Sequence, residues 1–170
     1  DMAVVRTLEY DSDWNWKVLV ENFMEAYHHI GVHQETFEPA YHARDSRVPD
    51  NDGPWSILHM PAAHAELPPG LPPVEGLEDW QARDLFASVL YPHFLLGVQG
   101  SVVTWYQVFP ESAGKLKLKI HICVPGAYTA FEGFDQIADE ISHMVDAIHQ
   151  EDIGANDTVW KGLNAPLTRQ

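Results

Sequence analysis

From Lys115 to Pro125 the chain reads KLKLKIHICVP, with Leu116, Leu118, Ile120 and Ile122 alternating against Lys115, Lys117, Lys119 and His121. A period of two with one apolar and one polar face is a half-buried strand, and it demands a sheet with one wet side. Soon afterwards the period changes. Phe131, Phe134, Ile137, Ile141, Met144, Val145 and Ile148 recur at helical spacing from about Tyr128, which predicts a long amphipathic helix. Strand-like runs SVLYPHFLLGVQG and SVVTWYQVFP precede the alternating one, and ESAG at Glu111 to Gly114 is the tight connection between the last two. Strands first and a long helix last, without regular βαβ alternation, specify an α+β fold with an antiparallel sheet.

Earlier in the chain the signals are mixed. Residues 14–20, WNWKVLV, are rich in aromatic and β-branched types and predict a strand leading into a helix from Glu21. Phe23, Ala26, Tyr27 and Ile30 continue that helix, which Gly31 is placed to end. Ala43 to Pro54 and the proline-rich Pro61 to Trp80 predict long irregular connections of the kind that act as lids, with WSILHM at Trp55–Met60 a short strand between them. No internal repeat is present.

At 170 residues, 45% hydrophobic and 21% charged, the chain has the composition of a single globular domain, residues 1–170. Ten basic against 25 acidic residues give a net charge of −15, which disfavours nucleic acid and anionic membranes as partners. No apolar run reaches the roughly 20 residues of a membrane span and residues 1–20 lack the pattern of a signal peptide, so the expected location is cytoplasmic. The single cysteine, Cys123, excludes an intrachain disulfide and any multi-cysteine metal site. The opening residue, Asp1, points to a processed chain or a fragment.

Chemistry concentrates in Asn22 to His33, NFMEAYHHIGVH. His28 and His33 are five apart, roughly 140° of rotation on an ideal helix, so they converge only if the helix breaks, and Gly31 offers the break. Taken alone, they read first as helix-end histidines bonded to backbone. Glu25, three residues before His28, is placed to accept its other ring N–H. The C-terminal apolar stripe, extended one turn past Ile148, meets Asp152, and no Lys or Arg lies between Lys119 and Lys161 to compensate a buried carboxylate. Asp157 and Asp146 remain alternatives. Two histidines and a carboxylate on one face of a metal form the set used by non-haem Fe(II) oxygenases.

The run Trp16, Lys17, Glu21, Asn22, Phe23, Glu25, Tyr27, His28 and His33 resembles the signature of the catalytic domain of Rieske non-haem iron oxygenases, the ring-hydroxylating α-subunit family. YPHFLLG and the tail QEDIGANDTVWKGL extend the resemblance over nearly the whole chain. It implies a helix-grip (START-like) fold, a curved antiparallel sheet around a long C-terminal helix. It also implies His28, His33 and Asp152 as ligands of a mononuclear Fe(II), Asn22 near the iron, and Glu25 as the acid that bridges to the electron donor. His93, Trp105 and His59 are the candidate substrate-facing residues, with Tyr106 the alternative to Trp105 because the two lie on opposite faces of their strand. The implied function is oxygenation, activating O2 to hydroxylate or demethylate a small organic substrate within a homotrimer.

Two departures stand out. The bridging acid is Glu25 where the family usually has Asp, as in the branch that includes carnitine monooxygenase, and His93 stands where Asn is common. A Rieske [2Fe-2S] cluster needs two cysteines, so Cys123 cannot supply one, and the electrons must come from a Rieske domain, ferredoxin or reductase elsewhere. The rival readings are a non-catalytic helix-grip module holding an apolar ligand and a zinc hydrolase on the same three residues.

Overall fold

A computed structural model describes residues 1–64 and 70–166. The alternating segment is strand β6, Lys115–Pro125, and its apolar face is fully buried at Leu116, Leu118, Ile120 and Ile122. It lies next to the edge of a six-stranded antiparallel sheet whose other strands are β1, Met2–Ser12, β2, Trp55–Met60, β3, Leu85–Leu90, β4, Phe94–Gln99, and β5, Val102–Ser112. Their order is β1-β6-β5-β4-β3-β2.

The sheet is larger than its sequence signals. β1 is not announced by a clean period, because its pairing with β6 shifts register between Val4 and Arg6 and breaks the alternation. The run SVLYPHFLLGVQG is two strands, β3 and β4, joined by a turn with a cis Tyr91–Pro92 peptide bond. Pro92 removes a ladder donor, which is why one strand cannot run through it.

Residues 14–20 are not a strand. Helix α1, Trp16–Phe23, begins at Asn15, whose side chain accepts the Lys17 N–H at 2.9 Å, and it buries Val18, Leu19 and Val20. Cap and burial override the β-branched propensity here. The helix expected from Glu21 to Gly31 therefore ends at Phe23, and a separate single turn, α2, spans His29–Val32.

The expected C-terminal helix is α4, Phe134–Leu163, and its buried face runs through Phe134, Ala138, Ser142, Val145, His149 and Asn156. Phe131 precedes it and Met144 is 54% exposed, so the buried stripe is rotated from the all-apolar one toward small and polar residues. Val145, with Ile141 and Ile153 partly buried beside it, packs into the core formed by α1 and the inner face of β4, β5 and β6.

The long connections carry little regular structure: a 3-10 turn at Ala43–Asp45, an isolated Arg47 to His59 bridge, and helix α3, Asp79–Arg83. Residues 65–69 of the Pro61 to Trp80 stretch lie outside the described residues. Among the described residues no helix is long and apolar enough to cross a membrane.

Candidate metal centre

His28 and His33 sit at the two ends of α2, one just before it and one just after. His28 has helical dihedrals (φ −65°, ψ −21°), whereas His33 leaves them (φ −107°, ψ 36°). The Val32 and His33 N–H groups still bond the His28 and His29 carbonyls, so the backbone between the two histidines is an unbroken turn, and their ring centroids lie 5.0 Å apart. Gly31 is not the break. It lies inside α2 without a positive φ, and a Cβ added there would meet nothing within 4 Å.

Asp152 comes from α4 and completes the cluster. Its Oδ1 is 3.5 Å from His28 Nε2 and 3.1 Å from His33 Nε2, and one ligand atom from each residue lies within 4.8 Å of the others. The alternative carboxylates are engaged elsewhere: Asp157 pairs with Lys161 at 2.5 Å, and Asp146 accepts the Tyr10 hydroxyl at 2.6 Å.

Each histidine has a second carboxylate on its other nitrogen. Glu25 Oε1 is 2.5 Å from His28 Nδ1, while Glu25 Oε2 accepts the backbone N–H groups of Tyr27 and His28. Glu151 Oε2 is 2.6 Å from His33 Nδ1 and accepts the Thr36 hydroxyl at 2.7 Å. Sequence reasoning missed Glu151 and Thr36, since a glutamate one position from a helix-borne aspartate reads as solvated. Burial pulls the His33 ring down, but Asp152 and Glu151 outweigh it and hold the imidazole above its ordinary value. His29, buried and stacked on Phe37, is pushed down to about 4 by burial and then by its neighbours His28 and His33.

These donors suit a divalent cation. With Nδ1 donating to Glu25, His28 turns a lone pair toward Asp152 Oδ1, and two acceptors facing each other at 3.5 Å need a positive species between them. Asp152 has no lysine or arginine partner among the described residues; its ion-pair contacts are the two histidines. Two imidazole nitrogens and one carboxylate oxygen are first-row transition-metal ligands.

A cavity of about 80 Å³ adjoins the cluster, walled by Phe23, Phe37, Leu58, Met60, Tyr106 and Ile148, with Asn22 and Glu25 also on its lining. Of the adjacent pair Trp105 and Tyr106, it is Tyr106 that faces inward, and burial followed by the nearby Asp152 charge raises its hydroxyl above the ordinary value. Trp105 points to the other side of the sheet, beside Phe94 and His121. His93 lies in the β3 to β4 turn, edge-on to Trp16 at 5.5 Å. His59 bonds Asp84 at 2.6 Å and stacks on Phe86. The structure therefore does not bring His93, Trp105 or His59 to the cavity wall.

The family described as ring hydroxylating alpha subunit (catalytic domain) matches residues 1–170. No curated protein matches the chain by sequence. Among solved structures, the quaternary ammonium Rieske monooxygenase CntA in complex with an inhibitor superposes with a TM-score of 0.76 at 19% identity, covering 99% of this chain and 42% of that one. Naphthalene 1,2-dioxygenase from a Rhodococcus species, bound to indole, has a TM-score of 0.69 at 15% identity over 98% of this chain and 46% of its own. The Zhui aromatase/cyclase from a Streptomyces species shares the fold at a TM-score of 0.51 and 10% identity, over 98% of both chains. The chain thus spans less than half the length of these two oxygenase chains.

Proposed function

The chain belongs to the family of ring-hydroxylating α-subunit catalytic domains, and from that premise we propose that residues 1–170 are a mononuclear-iron catalytic domain with His28, His33 and Asp152 as the iron ligands. The observation that carries this reading is the convergence of those three donors from α2 and α4. A ferrous ion held by two histidines and one carboxylate keeps positions open and supplies the redox chemistry toward O2.

The chain's own residues do the rest. Glu25 holds the His28 ring through Nδ1 and leaves Nε2 facing Asp152 and the metal site, and the apolar wall of Phe23, Phe37, Leu58 and Met60 keeps bulk water from a small organic substrate. Asn22 provides a polar contact on that wall. Glu25 reaches outward as well as inward: its side chain is 44% exposed, and Tyr27 and Ile30 beside it are exposed apolar groups. That makes Glu25 the point at which electrons from a Rieske [2Fe-2S] centre on another domain or chain reach His28. Inter-subunit electron transfer is described for a quaternary ammonium Rieske monooxygenase of similar fold, and a homotrimer would place a neighbouring donor there. On this reading the chain binds iron and substrate by itself and turns over only with its electron donor. The converged donors favour it over a metal-free binding module.

Anaerobic loading with Fe(II) followed by metal analysis is expected to give about one iron per chain, lost in His28→Ala and in His33→Ala. Undiminished iron in both variants would overturn the assignment. Zinc retained in place of iron, together with hydrolytic turnover, would move it to hydrolysis.

A further inference from the structure

His33 is 1% exposed and lies between two carboxylates, with Nδ1 2.6 Å from Glu151 Oε2 and Nε2 3.1 Å from Asp152 Oδ1. A neutral imidazole carries one ring proton and can donate to only one of them. With the proton on Nε2, the ring bonds Asp152 and its lone pair is on Nδ1, facing Glu151 and not the site. With the proton on Nδ1, the ring bonds Glu151 and Nε2 is free. On the metal-site reading Asp152 is itself a ligand, which leaves Glu151 as the acceptor for the ring proton.

We propose that Glu151 is a positioning residue that keeps the His33 proton on Nδ1 and so aims the Nε2 lone pair into the metal site, with Thr36 holding the Glu151 carboxylate in place. The proposal rests on the metal-site reading above and adds a residue to it. Three observations carry it. The Glu151 contact is the shorter of the two made by the ring. The same Oε2 accepts the Thr36 hydroxyl at 2.7 Å, which fixes a carboxylate that a surface helix position would leave free to rotate. Glu151 directly precedes Asp152 on α4, so one helical turn delivers both the ligand and the group that orients another ligand.

The two histidines are thereby oriented by different means. His28 is held by Glu25, three residues earlier in its own segment. His33 is held by a residue 118 positions away, so its lone pair is set only when α4 has docked against α2. A fixed tautomer raises ligand basicity, and loss of such an orienting partner typically weakens metal binding about 10–100-fold.

The test uses the full chain and two readouts. In metal-free protein at alkaline pH, where the ring is neutral, 15N NMR of the His33 ring is expected to show the Nδ1–H tautomer in the wild type and in Glu151→Gln, which keeps an acceptor oxygen, and the Nε2–H tautomer in Glu151→Ala. Calorimetric titration with Co(II) is expected to show affinity about 10–100-fold weaker in Glu151→Ala, largely restored in Glu151→Gln and several-fold weaker in Thr36→Val. Glu151→Ala retaining the Nδ1–H tautomer, or binding Co(II) as tightly as wild type, would overturn the proposal. Wild-type protein that binds no Co(II) would instead remove the metal reading, and the tautomer measurement would still decide the role of Glu151.

Discussion

Tyr10 and Asp146 show at the scale of single residues how a carboxylate near the candidate centre is withdrawn from it. The Tyr10 hydroxyl donates to Asp146 at 2.6 Å, and that bond, then one from Gln150, holds the carboxyl below its ordinary value of 3.8. A carboxylate whose folded value is lowered stabilises the fold above its unfolded value and loses that contribution as pH falls through the folded one. Tyr10→Phe is therefore expected to cost about 1 kcal/mol in urea unfolding at neutral pH, with the difference from wild type shrinking below about pH 3.8, as Asp146 becomes protonated in both. A pH-independent difference would show that packing, not the charged hydrogen bond, is what Tyr10 contributes. The same local logic separates the three acids of α4 that sequence reasoning left open. Asp146 is satisfied by a phenol and Asp157 by a lysine one turn on, whereas the ion-pair partners of Asp152 among the described residues are imidazoles.

Among the elements, β4 and β5 shape the cavity through one close pair. Gly97 lies directly opposite Thr104, and both line the cavity; a Cβ at Gly97 would collide with Thr104 Oγ1. Gly97→Ala is expected to destabilise by about 1–3 kcal/mol, and by less when Thr104 is also Ala, because the obstructing hydroxyl is gone. Thermal unfolding of the two single variants and the double variant measures this; strict additivity would place the strain elsewhere. The neighbouring face choice was equally invisible in the linear chain. Trp105 and Tyr106 both suit a strand, and a shift of one residue exchanges the faces, so only the register with β4 decides that Tyr106 faces the site. Helix α1 was misread for a related reason: the valines and tryptophans near its start favour a strand in isolation, and the Asn15 cap with burial against the sheet outweighs them.

For the whole molecule, the candidate centre ties the early α2 to the late α4, which otherwise share few contacts. A cation bound there by the folded state alone raises stability by roughly 2.7 kcal/mol at about one hundred times its dissociation constant. Fe(II) or Co(II) is expected to raise the midpoint of thermal unfolding by several degrees in wild type and not in Asp152→Ala. An equal shift in both would mean that the ion binds elsewhere, for which a chain of net charge −15 offers other acidic surface.

Several features were legible in the chain itself because they are local. The alternation of β6 and the long period of α4 record which side of each element is buried, and together they imply the antiparallel sheet with its late helix. The spacing of His28 and His33 and the carboxylate at the end of an apolar stripe make a candidate ligand set legible in the sequence, with Glu25 as the acid beside His28. Tertiary structure decided how they meet. Pairing of β1 with β6, the absence of His59, His93 and Trp105 from the cavity, and the capture of His33 by Glu151 are contacts or registers between segments. A contact spanning 118 positions leaves no periodicity in the residues that make it, so the stretch from Asn22 to His33 supplies the two histidines and the local Glu25 contact, while the docking of α4 brings Asp152 and Glu151 to them.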